Sequence, residues 1–211
     1  PSHHVGWLSI LSHRMRSSSS SSSSGAEQGV RNNSLVPLLT PALTLLVGKH
    51  GLCSQNLRSQ QAASECLVQC CVSIDLQVDF EVVGRVVHVA KQFILNTTPH
   101  VQCGGLTILT GMIPYHFHGL NLWIVGDSLI LKQVLVMMTR SHSMSVRVQC
   151  VYMVRELLLA VPSTISRSGM LHSIRSHLRE CFAHDDVVLQ QAVADMYPVA
   201  FYHNDDDESS N

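Results

Sequence analysis

The chain has 211 residues, 45% of them hydrophobic and only 14% charged, with a formal net charge of −1 and a mean hydropathy of +0.18. That length suffices for one domain with a sizeable core. Its charge content falls well short of the roughly 25% usual for a soluble domain, and the absence of a basic excess argues against a nucleic-acid binder.

Residues 1–33 read as a disordered segment. Ser17 to Ser24 is an unbroken serine run, followed by Gly25 and a polar stretch to Asn33. Such a composition cannot bury enough apolar area to offset its ordering entropy. It reads either as a phosphorylatable linker or as an inert spacer. The first residues lack an apolar core of signal-peptide length, and Pro1 in place of Met suggests a piece of a longer protein.

The folded part is expected over residues 34–203. Ser34 caps a first helix running from Leu35 to about Gly48, with Pro37 in its first turn. Asn56 to Ser73 follows, with Ala62, Cys66 and Cys70 on one stripe and Ala63 and Leu67 beside it. Asp75 separates it from a helix over Leu76–Leu95. Pro99 to Ile113 comes next. Its Gly104 and Gly105 weaken an isolated helix by about 1 kcal/mol each but permit close helix approach. Tyr115 to Gly119 is a loop. Leu120 to Met138 then reads as one long helix, apolar nearly all round and interrupted by Asp127 and Lys132, which argue for burial between other helices and against a membrane span.

Ser141 and Ser143 cap a helix that places Val146, Cys150, Val154, Leu157, Leu158 and Val161 inward and Arg147, Arg155 and Glu156 outward. Pro162 stops it. Ser163 to Cys181 reads as a further helix with Ile165, Met170, Ile174, Leu178 and Cys181 inward. His184-Asp185-Asp186 caps the last one, with Val188, Ala192, Met196 and Val199 facing in and Pro198 distorting its final turn. The tail 204–211 is acidic and reads as disordered.

A Gln followed by a small residue recurs at Gln61-Ala62, Gln102-Cys103, Gln149-Cys150 and Gln191-Ala192, at gaps of 41, 47 and 42 residues. That is the period of two-helix solenoid repeats, in which no unit buries its apolar face alone. The stretches Ser145-Val146-Arg147-Val148-Gln149-Cys150 through Leu157-Leu158, and Asp185-Asp186-Val187-Val188 through Ala192 and Met196, resemble the HEAT-repeat family. That family places an Asp, then Val-Arg, then a small residue on its second helix. The resemblance spans about residues 34 to 202. It implies an all-α fold, a curved α-solenoid of about four two-helix units, that scaffolds protein partners and contributes no catalytic residue. An armadillo arrangement with three helices per unit is the nearest neighbour.

The chemistry-bearing residues give little else. Cys66 and Cys70 have zinc-like spacing without a second pair, and His100, Cys103, His116 and His118 are the other metal candidates. On a helix, Cys66 and Cys70 face one way, as core residues do. Seven cysteines, an odd number of which five fall on the expected apolar faces, read as reduced and buried, hence a cytoplasmic setting, with any membrane association through partners. G-x-S-x-G, P-loop and G-x-G-x-x-G patterns are absent. The expected function is therefore a non-enzymatic, protein-binding scaffold without a cofactor, a subunit of a larger assembly that neither binds nucleic acid nor spans a membrane. A trafficking adaptor for a cargo peptide or small GTPase, and a regulatory subunit of an enzyme complex, are the alternatives. Arg147, Arg155, Arg175 and Arg179, with Arg167 near them, form the candidate partner-binding surface, or else a solvated helix face.

Overall fold

The computed structural model describes residues 44–73, 80–115, 120–126 and 128–201. Residues 44–47 form one helical turn. The α-helices that follow are α1 (Leu57–Ser73), α2 (Phe80–Ile94), α3 (Pro99–Met112), α4 (Leu120–Gly126), α5 (Ser128–Arg140), α6 (Met144–Ala160), α7 (Pro162–Arg167), α8 (Met170–Phe182) and α9 (Val187–Phe201). A 3-10 turn, Ile113–Tyr115, extends α3. There is no strand among the described residues, so the all-α class stands. The serine-rich segment, the start of the Leu35–Gly48 helix, Asp75, His116 to Gly119, Asp127 and the acidic tail lie outside the described residues.

Helices α1, α3, α6 and α9 begin in the same way. Their preceding residues are Asn56, Thr98, Ser143 and Asp186, which stand 42, 45 and 43 residues apart. In each case the backbone N–H of that residue donates to the side chain two positions earlier. The acceptors are Ser54 Oγ (3.1 Å), Asn96 Oδ1 (2.8 Å), Ser141 Oγ (3.2 Å) and His184 Nδ1 (3.3 Å). Such short polar side chains pre-form the turn that launches a helix. Asn56 and Asp186 also accept from the first helical turn, at Arg58 N and Leu189 N.

The fourth residue of each of these helices is a long donor that reaches back over the entry turn. Gln60 Nε2 donates to Ser54 O (2.8 Å), Leu52 O (3.0 Å) and His100 O (2.5 Å), the last on α3. Gln102 Nε2 reaches Asn96 O (2.6 Å), and Gln190 Nε2 reaches His184 O (2.8 Å) and Phe182 O (3.3 Å). In α6 the position belongs to Arg147, whose Nε donates to Met138 O at 2.9 Å. The Gln-small pairs therefore mark the right helices but not the equivalent residues. Gln61 and Gln191 are exposed neighbours of the reaching residue, Gln149 lies two positions past it, and only Gln102 is the residue itself.

Over the expected Leu120–Met138 helix the structure describes α4, Leu120–Gly126, and α5, Ser128–Arg140, on either side of residue 127, which lies outside the described residues. One expected helix is divided. Ser163–Cys181 is parted at Ser168-Gly169, where Gly169 has φ +71°. That left-handed conformation costs a side-chain-bearing residue about 1–2 kcal/mol. Gly169→Ala is expected to lower stability by about 1 kcal/mol in a denaturant titration, although nothing lies within 4 Å of the added methyl.

Packing runs along two series of neighbours: α1 touches α3, α3 touches α6 and α6 touches α9, while α2 touches α5 and α5 touches α8. Between them α2 packs on α3, α5 on α6 and α8 on α9. The core lies along this seam and is continuous, with Leu67, Ile94, Leu109, Leu135, Val154, Leu178 and Met196 all buried. Each large aliphatic side chain so buried contributes about 1.5–3 kcal/mol. α3 approaches its neighbours closely: a Cβ on Gly104 would stand 2.2 Å from Leu52 O, and one on Gly105 would stand 2.7 Å from Ala90 O. One expected inward residue is misplaced. Val188 is 62% exposed, and Leu189 takes the core position. One residue is a 100° rotation about the helix, enough to exchange inside for outside.

Candidate functional site: the arginines of the C-terminal helices

The four candidate arginines do not share a surface. Arg147, expected outward, is only 6% exposed. Its Nε hydrogen bond to Met138 O places the guanidinium over the last turn of α5, where unpaired carbonyls and the negative end of the helix dipole meet it. Cys181 Sγ donates to the same oxygen at 3.3 Å. Arg147 thus ties α5, α6 and α8 together. Arginine is outward by default, whereas here the last turn of α5 supplies a buried acceptor.

Arg155 lies on α6 and pairs with its neighbour Glu156, Nη1 to Oε1 at 2.7 Å, the two side chains being 40% and 23% exposed. A pair this open contributes under about 1 kcal/mol, and its charges cancel locally. Arg175 and Arg179 share α8. Their guanidiniums stand 5.3 and 5.5 Å from the centre of the Phe201 ring, and Arg175 Nε also donates to Ala200 O at 2.9 Å. Tyr197 stacks on Phe201 with ring centres 4.1 Å apart. Next to them an open groove of about 500 Å³ runs between α8 and α9, lined by Leu178, Arg179, Phe182, Val193, Ala194 and Tyr197. The arrangement offers cations and aromatic edges for binding.

Two cations escaped the sequence reading. Lys132 and Arg140 are exposed on α5, which packs beside α8, the helix of Arg175 and Arg179. They were grouped with nothing because they lie far from Arg175 along the chain. Their eight-residue separation, which repeats one helix face, was the available signal.

All seven cysteines are free thiols, and all but Cys53 are buried. Burial pushes Cys71 up to about 12 and Cys103 up to about 11. Cys150 is raised by its burial and by the neighbouring Cys103 and Cys181. Cys181 is raised by burial, against an opposing pull from Arg147, and Cys70 is raised first by its hydrogen bond with Cys66. These thiols favour the neutral form in the folded state. Their stabilising contribution is complete below the unfolded-state value of 9.0 and is lost as pH rises through the folded-state values. Stability is expected to fall between about pH 9 and 11, by about 1.4 kcal/mol per pH unit for each such thiol. Urea midpoints at successive pH values check this. The fall should shrink in Cys71→Ala, after allowance for the variant's lower starting stability.

Among the described residues no group of three or more His, Cys, Asp or Glu side chains is placed to hold a metal ion, and no helix is long and apolar enough to cross a membrane. His116 and His118 lie outside the described residues. No family model, no curated protein and no solved structure matches this chain.

Proposed function

We propose that the chain is a HEAT-like α-solenoid and serves as a non-enzymatic scaffold for protein partners. The observation that carries the reading is the shared helix start. Four helices spaced by about 40–45 residues launch from the same polar turn and carry the same backward-reaching donor, and they touch one another in series. In a stack of this kind each unit leans only on its neighbours. The outer side of α1, α3 and α6 then becomes one continuous face. Counted from the residue before each helix, Val72, Pro114 and Leu159 hold the same position, and all three are exposed. Tyr115 and Tyr152 are exposed beside them, at 47% and 40%. Aligned apolar and aromatic side chains with few charges are what a protein partner's surface can cover.

The solenoid part is tested by hydrogen exchange. A one-dimensional stack should protect α3 and α6 most and α1 and α9 least, whereas equal protection throughout would count against it. The binding part is tested by crosslinking the chain to its neighbours in cells, then reassembling the complex from purified components. Tyr152→Asp with Leu159→Asp should abolish binding while the helical spectrum is unchanged. The reading fails if no purified protein binds more tightly than about 10 μM, or if this variant binds normally.

A further inference from the structure

We propose that the opposite side, the outward strip of α2, α5 and α8, binds an acidic protein segment that also carries apolar side chains. This rests on the protein-binding reading above and adds a second surface with its own ligand chemistry.

The net charge of −1 conceals a segregation. Among the described side chains, α1, α3, α6 and α9 carry Arg58, Arg147 and Arg155 against Glu65, Glu156 and Asp195, which balance. Among the described side chains, helices α2, α5 and α8 carry Lys91, Lys132, Arg140, Arg175 and Arg179 against Glu180, and the sequence of α2 adds Glu81 and Arg85, whose charges offset each other. Asp185 is exposed just past the end of α8, and Asp186 is engaged with the first turn of α9.

The cations are spread over adjacent helices, with Arg175 and Arg179 leaning over Phe201 on the α9 side of α8. Cys181 Sγ donating to Met138 O joins the last turns of α5 and α8, which brings Arg140 and Arg179 to the same end of adjacent helices. Along α5, Lys132 and Arg140 are about 12 Å apart, and along α8, Arg175 and Arg179 are about 6 Å apart. Neighbouring helix axes lie about 8–10 Å apart. Same-side carboxylates of an extended chain repeat about every 7 Å, so a short acidic segment crossing from α5 to α8 can meet several of these cations.

The apolar content decides between classes of anion. Leu129, Lys132, Val136 and Arg140 form one outward stripe of α5, and Leu129 and Val136 are 51% and 42% exposed. Leu95, at the end of α2, is 42% exposed. A phosphate backbone has nothing to place on those side chains, whereas a peptide mixing Glu with Leu covers both kinds. Recognition of this sort weakens as salt screens the cations.

The test uses the full chain and a fluorescein-labelled peptide of about twelve residues made of Glu and Leu, followed by fluorescence anisotropy. The peptide should bind, and it should bind at least tenfold more weakly when each Glu is replaced by Gln or when salt is raised. Lys132→Glu with Arg140→Glu should weaken binding at least tenfold without moving the thermal transition, and Arg155→Glu should leave it unchanged. Should the double reversal unfold the chain, Lys132→Gln with Arg140→Gln serves in its place. Unaltered binding in the folded double variant overturns the proposal. So does a single-stranded oligonucleotide or a phosphatidylserine vesicle that binds as tightly as the peptide and is lost in the same variant. A partner captured through Tyr152 and Leu159 that still binds the double variant leaves the scaffold reading intact, so the two proposals fail separately.

Discussion

Gly105→Ala is expected to destabilise the protein by about 3 kcal/mol, and Gly104→Ala by at least as much. Both glycines lie inside α3, where an alanine would ordinarily gain about 1 kcal/mol in helix propensity. Here the sign reverses because the added methyl has nowhere to go. On Gly105 it would stand 2.7 Å from Ala90 O, 2.8 Å from Phe93 Cβ and 3.0 Å from Ile94 N, so the last two turns of α2 would have to move. On Gly104 it would stand 2.2 Å from Leu52 O and 2.9 Å from the carbonyl carbon. These obstacles are mainly backbone, which cannot rotate aside as a long side chain can. Overpacking of this kind costs about 1–3 kcal/mol or more, in excess of the propensity gained. Gly84 is the control. It is exposed within α2, nothing lies within 4 Å of its Cβ position, and Gly84→Ala should raise stability by about 0.5–1 kcal/mol. Urea midpoints of the three variants measure this. A Gly105→Ala protein as stable as the parent would mean that α2 and α3 do not approach as closely as described.

These glycines show where the sequence was legible and where it was not. The existence and type of the helices followed from apolar spacing, because one buried face imposes a 3.6-residue period wherever the core lies. The close approach at Gly104 and Gly105 was open to inference, since two adjacent small residues in a helix need a reason. The break at Gly169 was not, because the apolar pattern continues across it. The recurrence was located but misread in register. A Gln beside a small residue is a frequent pair on any helix, whereas the conserved geometry is a donor at the fourth helical position, reaching carbonyls that the sequence does not display. The arginines were misgrouped for a related reason. Neighbourhood along the chain put Arg147 and Arg155 with Arg179, while packing puts Lys132 and Arg140 on the helix next to it.

Arg147 carries the second large effect. Arg147→Met should lower stability by about 2–3 kcal/mol, and Arg147→Gln should lower it far less. Methionine keeps most of the apolar stem but removes the donor to Met138 O, leaving that carbonyl the weak thiol of Cys181. A buried acceptor that loses a charged donor costs about 1.5–3 kcal/mol. Arginine also carries a cost of its own here. It is 6% exposed, and the only ion pair among the described residues is that of Arg155 with Glu156, so a buried charge is balanced by helix-end carbonyls alone. Glutamine has no such charge to desolvate, and Gln60, Gln102 and Gln190 hold the equivalent position in the other three helices. The Gln variant should therefore recover much of the lost stability through a neutral hydrogen bond. If instead Arg147→Gln is as damaging as Arg147→Met, the guanidinium itself is required, and the equivalence of the four helix starts fails at α6. If Arg147→Met is harmless, the backward-reaching donor contributes nothing there. Denaturant midpoints with unchanged m-values separate these outcomes, because a shifted slope would report a change in the compactness of either state and not the loss of a single bond.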